Sequence, residues 1–201
     1  MSMLEYENRL WDEGFQFVAG VDEAGRGPLA GPVYAAAVIF EKGTEIAGIN
    51  DSKKLSEKKR ELLYDVIKEK ALSYAIVSVN EKEIDEINIL NASLKAFSLA
   101  VEKLDKKPDY VLFDGNRAPD MNIPFETVVK GDAKVQAIAA ASILAKVERD
   151  RYITEMDKVY PAYGFARHKG YPTKEHKEAV AKYGPSPIHR LTFRGVSEYV
   201  K

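Results

Sequence analysis

Apolar and polar positions change period several times along this chain, and each change marks an element. Phe17 to Glu23 opens as an unbroken run of small and β-branched residues, which reads as a buried strand. Val33 to Phe40 reads as a second strand, antiparallel to the first because the connection between them is short. Tyr74 to Val79, Tyr110 to Asp114 and Phe125 to Lys130 are the third, fourth and fifth candidates. Helical spacing appears elsewhere. Leu4, Leu10 and Trp11 share a face between Ser2 and Glu13, and Gly14 can close that helix. Ser56 can cap a helix running to about Leu72, with Leu62, Leu63, Val66, Ile67 and Ala71 apolar. Glu81 to Ile87 and Leu90 to Leu104 are helical on either side of a break near Asn88. A long helix from about Val135 to Tyr160 is stopped by Pro161, and its half from Gln136 to Ala145 is so alanine-rich that it should pack tightly on the sheet. A last helix spans Thr173 to Lys182.

Three of the candidate strands end in carboxylates: Asp22-Glu23, Asp114 and Asp132. If the first, fourth and fifth strands run parallel, these acids share the edge where open α/β sheets place their ligands. Adjacent buried acids repel unless a cation compensates them, and an all-oxygen set suits Mg²⁺ or Mn²⁺. A plainer reading makes Asp114 a turn former before Gly115-Asn116 and Asp132 a favourable charge at the start of the following helix. Asp22 and Glu23 point to opposite faces of a regular strand, so both reach one site only if the strand bends or one contributes its carbonyl. Asp51, Asp105 and Asp150 lack such a setting and read as solvated or ion-paired.

After the first acids comes Gly25-Arg26-Gly27-Pro28-Leu29-Ala30-Gly31-Pro32. Glycines let backbone N–H groups approach a ligand closely, and Arg26 adds a planar cation, so a phosphate or sugar site beside a metal site is expected. From Ala162 the chain turns basic and aromatic, with Arg167, His168, Lys169 and Tyr171. Lys53, Lys54, Lys146, Arg149, Arg167, His168, Lys169 and Arg194 are candidate phosphate contacts, although Lys146 and Arg149 might equally pair with acids such as Asp150. Tyr171 can stack on a sugar or base pair, or simply pack before Pro172.

Composition narrows this picture. The 201 residues suffice for one good-sized domain, expected as a single catalytic unit over 1–201 with an accessory helix (1–14) and a C-terminal helical extension from about 162. The absence of cysteine excludes disulfides, thiolate metal sites and a cysteine nucleophile, and suits a reducing, cytoplasmic setting. No secretory leader or membrane-spanning run is read from the sequence. A net charge of −1 argues against a coat of positive charge but leaves room for a local basic groove.

Six segments then carry a resemblance: Asp22-Glu23-Ala24-Gly25-Arg26-Gly27-Pro28-Leu29, Asn50-Asp51-Ser52-Lys53-Lys54-Leu55, Asp114-Gly115-Asn116, Lys130-Gly131-Asp132, Ala140-Ala141-Ser142-Ile143-Leu144-Ala145-Lys146 and His168-Lys169-Gly170-Tyr171-Pro172-Thr173. In these, from about Val18 to Phe193, the chain resembles the type 2 ribonuclease H family, ribonuclease HII. The resemblance implies a mixed five-stranded sheet in order 3-2-1-4-5 flanked by helices, with a C-terminal helical lobe. It implies a four-carboxylate metal site at Asp22, Glu23, Asp114 and Asp132. It implies cleavage of the RNA strand of RNA–DNA hybrids, and nicking 5′ of a single ribonucleotide in duplex DNA, leaving 3′-hydroxyl and 5′-phosphate ends. Gly25, Arg26, Gly27 and Tyr171 match the positions that read the RNA–DNA junction. Other readings are a Mg²⁺-dependent nuclease of different specificity on the same fold, a non-catalytic nucleic-acid binder, and a small-molecule phosphatase. A monomer is expected, and the tail Thr192 to Lys201 carries no convincing sliding-clamp motif.

Overall fold

Two kinds of connection decide how the sheet is built. The computed structural model describes residues 2–200. Short links join β1 (Val18–Ala24) to β2 (Val33–Ile39) and allow only an antiparallel pair, and β2 pairs antiparallel with β3 (Ser73–Val79). The route from β3 to β4 (Tyr110–Asp114) passes through a helix, which lets β4 lie parallel to β1, and β5 (Phe125–Val128) lies parallel to β4. The resulting order is β3-β2-β1-β4-β5, as the resemblance implied. The strands end close to their expected limits. The fifth is shorter, because Lys130 takes the left-handed region at φ 58° and turns the chain into a 3-10 turn over Gly131–Ala133.

The described residues form six α-helices: α1 (Glu5–Asp12), α2 (Glu57–Lys70), α3 (Glu81–Glu102), α4 (Gln136–Val159), α5 (Phe165–His168) and α6 (Lys174–Tyr183). The expected cap of α2 forms, with Ser56 Oγ accepting from the Lys59 amide at 3.3 Å. The expected break in α3 falls at Asn88, whose φ is 67° and whose side chain accepts from the Asn91 amide at 3.1 Å, restarting the helix. One sheet face packs on α3 through Val21, Ala35, Phe97 and Phe113. The other packs on α4 and α2 through Ala36, Val38, Ile67, Ala140 and Leu144. The alanine-rich half of α4 does lie against the sheet. Gly20 of β1 makes this approach possible, since a Cβ there would collide with the backbone of Ala137 and Ile138.

The N-terminal helix buries Leu4, Leu10 and Trp11 against Val18, Leu112 and Ile138. It also carries a buried acid that its sequence did not flag: Glu7 Oε1 accepts from the Ala137 amide at 3.0 Å, at the start of α4. The last fifth of the chain folds over one end of α4 around Ile153, Tyr163, Phe165 and Val180, and an isolated bridge ties His189 to Ala30.

Candidate active site

Strand register brings the acids together. Val21 of β1 pairs with Phe113 of β4, so Asp22 and Asp114 are the next residues on neighbouring parallel strands. Asp132 follows β5 in the 3-10 turn, and its amide donates to Asp114 Oδ1 at 3.2 Å. β1 stays regular through Ala24, with Asp22 facing Ala36 and Glu23 facing Ala35. The bend that both acids would need is absent, and they take opposite faces. Asp22 lies toward α4, near Ser142, and its Oδ1 accepts from the Glu23 amide at 2.7 Å. Glu23 opens onto a 200 Å³ cavity that it lines with Arg26, Asp114, Asn116 and residues of α3.

The electrostatics are those of an under-compensated cluster. Asp22 and Asp132 are buried. Burial, then the charges of Glu23 and Asp114, pushes the Asp22 carboxyl well above the ordinary carboxylate range. Burial also raises Glu23, against the pull of Arg26, whose Nη1 lies 3.5 Å from Glu23 Oε1. Asp132 is raised by burial and by Asp114 and Asp51. Asp51 also belongs to this edge, its charge acting on both Asp132 and Lys53, the ion-paired alternative of its sequence reading. Its Oδ1 accepts from the Lys53 amide at 2.9 Å. Burial acts to lower the Lys53 ammonium, but Asp132, Asp22, Asp51 and Asp114 outweigh it and hold it above its usual value. Lys53 thus faces the acids.

The glycine loop beside them is held from behind. Gly25 sits at φ +96°, and a Cβ there would collide with Arg149. Arg190, fully buried, donates to the carbonyls of Gly25 at 2.5 Å, Arg26 at 2.9 Å and Gly31 at 2.9 Å. Burial and the neighbouring Arg149 charge lower it to about 9. With two of its carbonyls turned inward, the loop keeps the N–H groups of Gly25, Arg26 and Gly27 without an acceptor among the described residues. A 220 Å³ cavity opens here, lined by Glu23, Gly25, Gly27, Lys53, Lys146 and Tyr171 among others. Tyr171 is 40% exposed, and a Cβ on Gly27 would lie 3.7 Å from its ring.

Several expected phosphate contacts are corrected. Arg149 is fully buried and donates to the carbonyls of Ala30 and Lys169, each at 3.0 Å. His168 is buried, with Nε2 on the Tyr163 carbonyl at 2.8 Å and Nδ1 accepting from the Gly170 amide at 3.2 Å. Lys169 turns toward α4, donating to Thr154 Oγ1 at 2.7 Å. Each is spent on holding backbone or helix and is not free for a ligand. Lys146 pairs with Asp150 at 2.8 Å, the alternative its spacing allowed, while its Nζ lies 5.7 Å from the Tyr171 ring centre. Arg167 pairs with Glu175. Lys54 and Arg194 are exposed. Sequence reasoning missed Arg190, Ser142, Asp51 and Glu7.

The donor set at the sheet edge is all oxygen, which fits a hard divalent cation. Among the described residues no group of three or more His, Cys, Asp or Glu side chains is already arranged to hold a metal ion.

This sheet order, with acids at the ends of three parallel strands, defines a nuclease of the ribonuclease H-like fold. Residues 19–196 match the model of the ribonuclease HII family. A ribonuclease HII of Acetivibrio thermocellus is 58% identical over 193 residues, covering 96% of this chain and 75% of the relative. The solved ribonuclease H2 of Pyrococcus horikoshii superposes with a TM-score of 0.77 at 30% identity, covering 91% of this chain and 96% of that one. The ribonuclease HII in a PCNA complex from Archaeoglobus fulgidus gives 0.72 at 26% identity, covering 89% and 95%. The chain belongs to the ribonuclease HII family, and is a ribonuclease acting on the RNA strand of RNA–DNA hybrids. No helix among the described residues is long and apolar enough to cross a membrane.

Proposed function

We propose that this ribonuclease also nicks duplex DNA 5′ of a single embedded ribonucleotide, using two divalent cations, Mg²⁺ or Mn²⁺, held by Asp22, Glu23, Asp114 and Asp132. The observation that carries this reading is the cavity where the glycine loop, Tyr171, Lys53 and Lys146 meet beside Glu23. Bound there, the cations would lower the pKa of the attacking water and neutralise charge on the departing 3′ oxygen. Asp22 and Asp114, neighbours across two parallel strands, are the central ligands, Asp132 completes the set, and Glu23, on the other face of β1, joins it through its backbone carbonyl. The N–H groups of Gly25, Arg26 and Gly27 donate to the adjacent phosphate and to the 2′-hydroxyl, which is the only feature besides helix shape that distinguishes one ribonucleotide in DNA. Tyr171 stacks at the junction. Lys146 and Lys53 contribute positive charge toward the phosphates. The products carry 3′-hydroxyl and 5′-phosphate ends. The protein acts as a monomer in the cytoplasm.

The test uses an end-labelled DNA duplex with one ribonucleotide and an all-DNA duplex of the same sequence, each with Mg²⁺, Mn²⁺ or chelator. Metal-dependent nicking 5′ of the ribonucleotide alone is expected. Cleavage of both duplexes would remove ribose discrimination from the glycine loop and favour a nuclease of different specificity. Cleavage of long hybrids without nicking of the single-ribonucleotide duplex would restrict the activity to hybrids.

A further inference from the structure

The chain has three histidines, and all three lie together behind Tyr171, away from the acids. His176 is fully buried in α6, and His189 and Ser186 are buried in the segment that follows it. Their contacts determine where each proton sits. The Ser186 amide donates to His189 Nδ1 at 2.8 Å, and Ser186 Oγ lies 2.7 Å from the same nitrogen, so Nδ1 is an acceptor. The neutral His189 ring therefore carries its proton on Nε2. That atom lies 2.9 Å from His176 Nε2, which must accept. His176 then carries its proton on Nδ1, 2.9 Å from the Tyr171 carbonyl, which accepts it. The direction runs one way, from Ser186 through two neutral rings to the backbone of Tyr171. His168 completes the hold, its carbonyl accepting from the Tyr171 amide at 2.9 Å while its ring stacks on His176 with centroids 4.3 Å apart.

The same segment reaches the opposite wall of the cavity. The residue after His189 is Arg190, which holds the carbonyls of Gly25 and Arg26. One short stretch thus ties down both sides of the place where Gly27 and Tyr171 meet.

We propose that His176 and His189 are positioning residues for substrate recognition: their proton-ordered relay fixes the Tyr171 backbone, and so its ring, at a set distance from the glycine loop. The inference rests on the reading of Tyr171 as a substrate contact. Burial keeps both rings neutral, with His176 lowered to about 4 and His189 to about 3. A second proton on either ring would set two N–H groups against each other.

Two measurements on the full chain test it. Side-chain ¹⁵N spectra at neutral pH are expected to show His176 as the Nδ1–H form and His189 as the Nε2–H form. His176 as Nε2–H, or either ring doubly protonated, overturns the relay. Kinetics on the single-ribonucleotide duplex then use H176N, whose amide keeps a donor near the Nδ1 position, and H176Q, whose amide reaches the Nε2 position instead. Both are polar and close in size, so their difference isolates the Tyr171 contact from a general loss of packing. H176Q is expected to raise KM about tenfold, the scale of one lost stacking contact, with kcat within about twofold. H176N should stay within about twofold of the native KM, and H176Q should add nothing in a Y171A background. Equal effects of H176N and H176Q, or a further rise in the Y171A background, overturn the proposal. Y171A raising KM while H176Q does not would overturn the relay and leave the Tyr171 reading standing. Y171A with native KM would overturn the Tyr171 reading itself, and the relay with it.

Discussion

The two walls of the site handle buried polar groups in opposite ways. At the sheet edge, Asp22, Glu23 and Asp132 are raised by burial, and neighbouring acids add to this in each case. Across the cavity, every buried cation and imidazole has its partners inside the protein: Arg190 and Arg149 on carbonyls, His168, His176 and His189 on backbone and one another. The first wall is left wanting a charge from outside. The second is internally complete in its buried groups and presents backbone N–H groups, Arg26 and one aromatic ring. The difference teaches that the two walls are built for separate tasks, with repulsion stored where the proposal places the cations and order stored where it places the reading of shape.

Removing an acid should break the comparison most strongly. Asp22→Asn is expected to lower hybrid cleavage by about 10³-fold or more, while raising the thermal midpoint at pH 8, because one of the crowded charges is gone. Activity and melting measured on the same preparation check both signs. On the other wall the signs should agree. Arg190→Met frees three carbonyls and is expected to cost roughly 3 kcal/mol of stability, with a parallel loss of discrimination between ribonucleotide and deoxyribonucleotide duplexes. Retained discrimination at lowered stability would separate the glycine loop from its buried anchor. Next in size, Mg²⁺ at about 100 times its dissociation constant should stabilise the native protein by about 2.7 kcal/mol over chelator and leave Asp22→Asn nearly unmoved, as read from paired unfolding curves.

Acid and base titration sharpen the contrast further. His176 and His189 titrate in the fold below their free value of 6.5, at about 4 and about 3. The unfolded chain therefore binds more protons, and stability is lost as pH falls from about 6.5 toward 4. Glu7 behaves oppositely: burial raises it from 4.5 to about 7, and its Oε2 has no partner. The folded chain then binds the extra proton, so this group's contribution falls as pH rises from 4.5 to 7. Glu7→Gln should raise the unfolding midpoint at pH 8 more than at pH 5, by an amount equivalent to at most about 3 kcal/mol. The smallest effect belongs to Arg167, an exposed partner of Glu175. Arg167→Ala should leave the salt dependence of substrate binding unchanged, whereas a reduced slope would return it to the phosphate contacts.

How much of this was legible in the sequence follows the same division. Strands ending in acids are local patterns, and they revealed the sheet edge, whereas the strand order came with the family resemblance. Arg149 and His168 were misread because a side chain that binds carbonyls inside the fold has the same letter as one that binds phosphate outside it. A signal for Arg149 was present: Ser142, Ala145, Arg149 and Ile153 recur at three- and four-residue spacing and all are buried on α4. Glu7 likewise sits three residues from both Leu4 and Leu10. His176 likewise shares the buried face of α6 with Ala179 and Val180, but Arg190 has no such local signal, since it reaches back to Gly25 and Arg26. Asp51 and Asp132 meet only after the loop before α2 and the turn after β5 converge on one edge.

Asp22 and Asp114 stand on adjacent strands at one level of the ladder. Their separation is therefore governed by the repeat of backbone hydrogen bonding, about 4.8 Å in any sheet, and not by the length or rotamer of either side chain. A pair of ions working on one phosphodiester needs a spacing of about 4 Å. If two cations bind as proposed, the backbone acts as a ruler whose graduation suits that task. Sequence drift in the apolar layers can alter stability without recalibrating it, so long as the two strands keep their register.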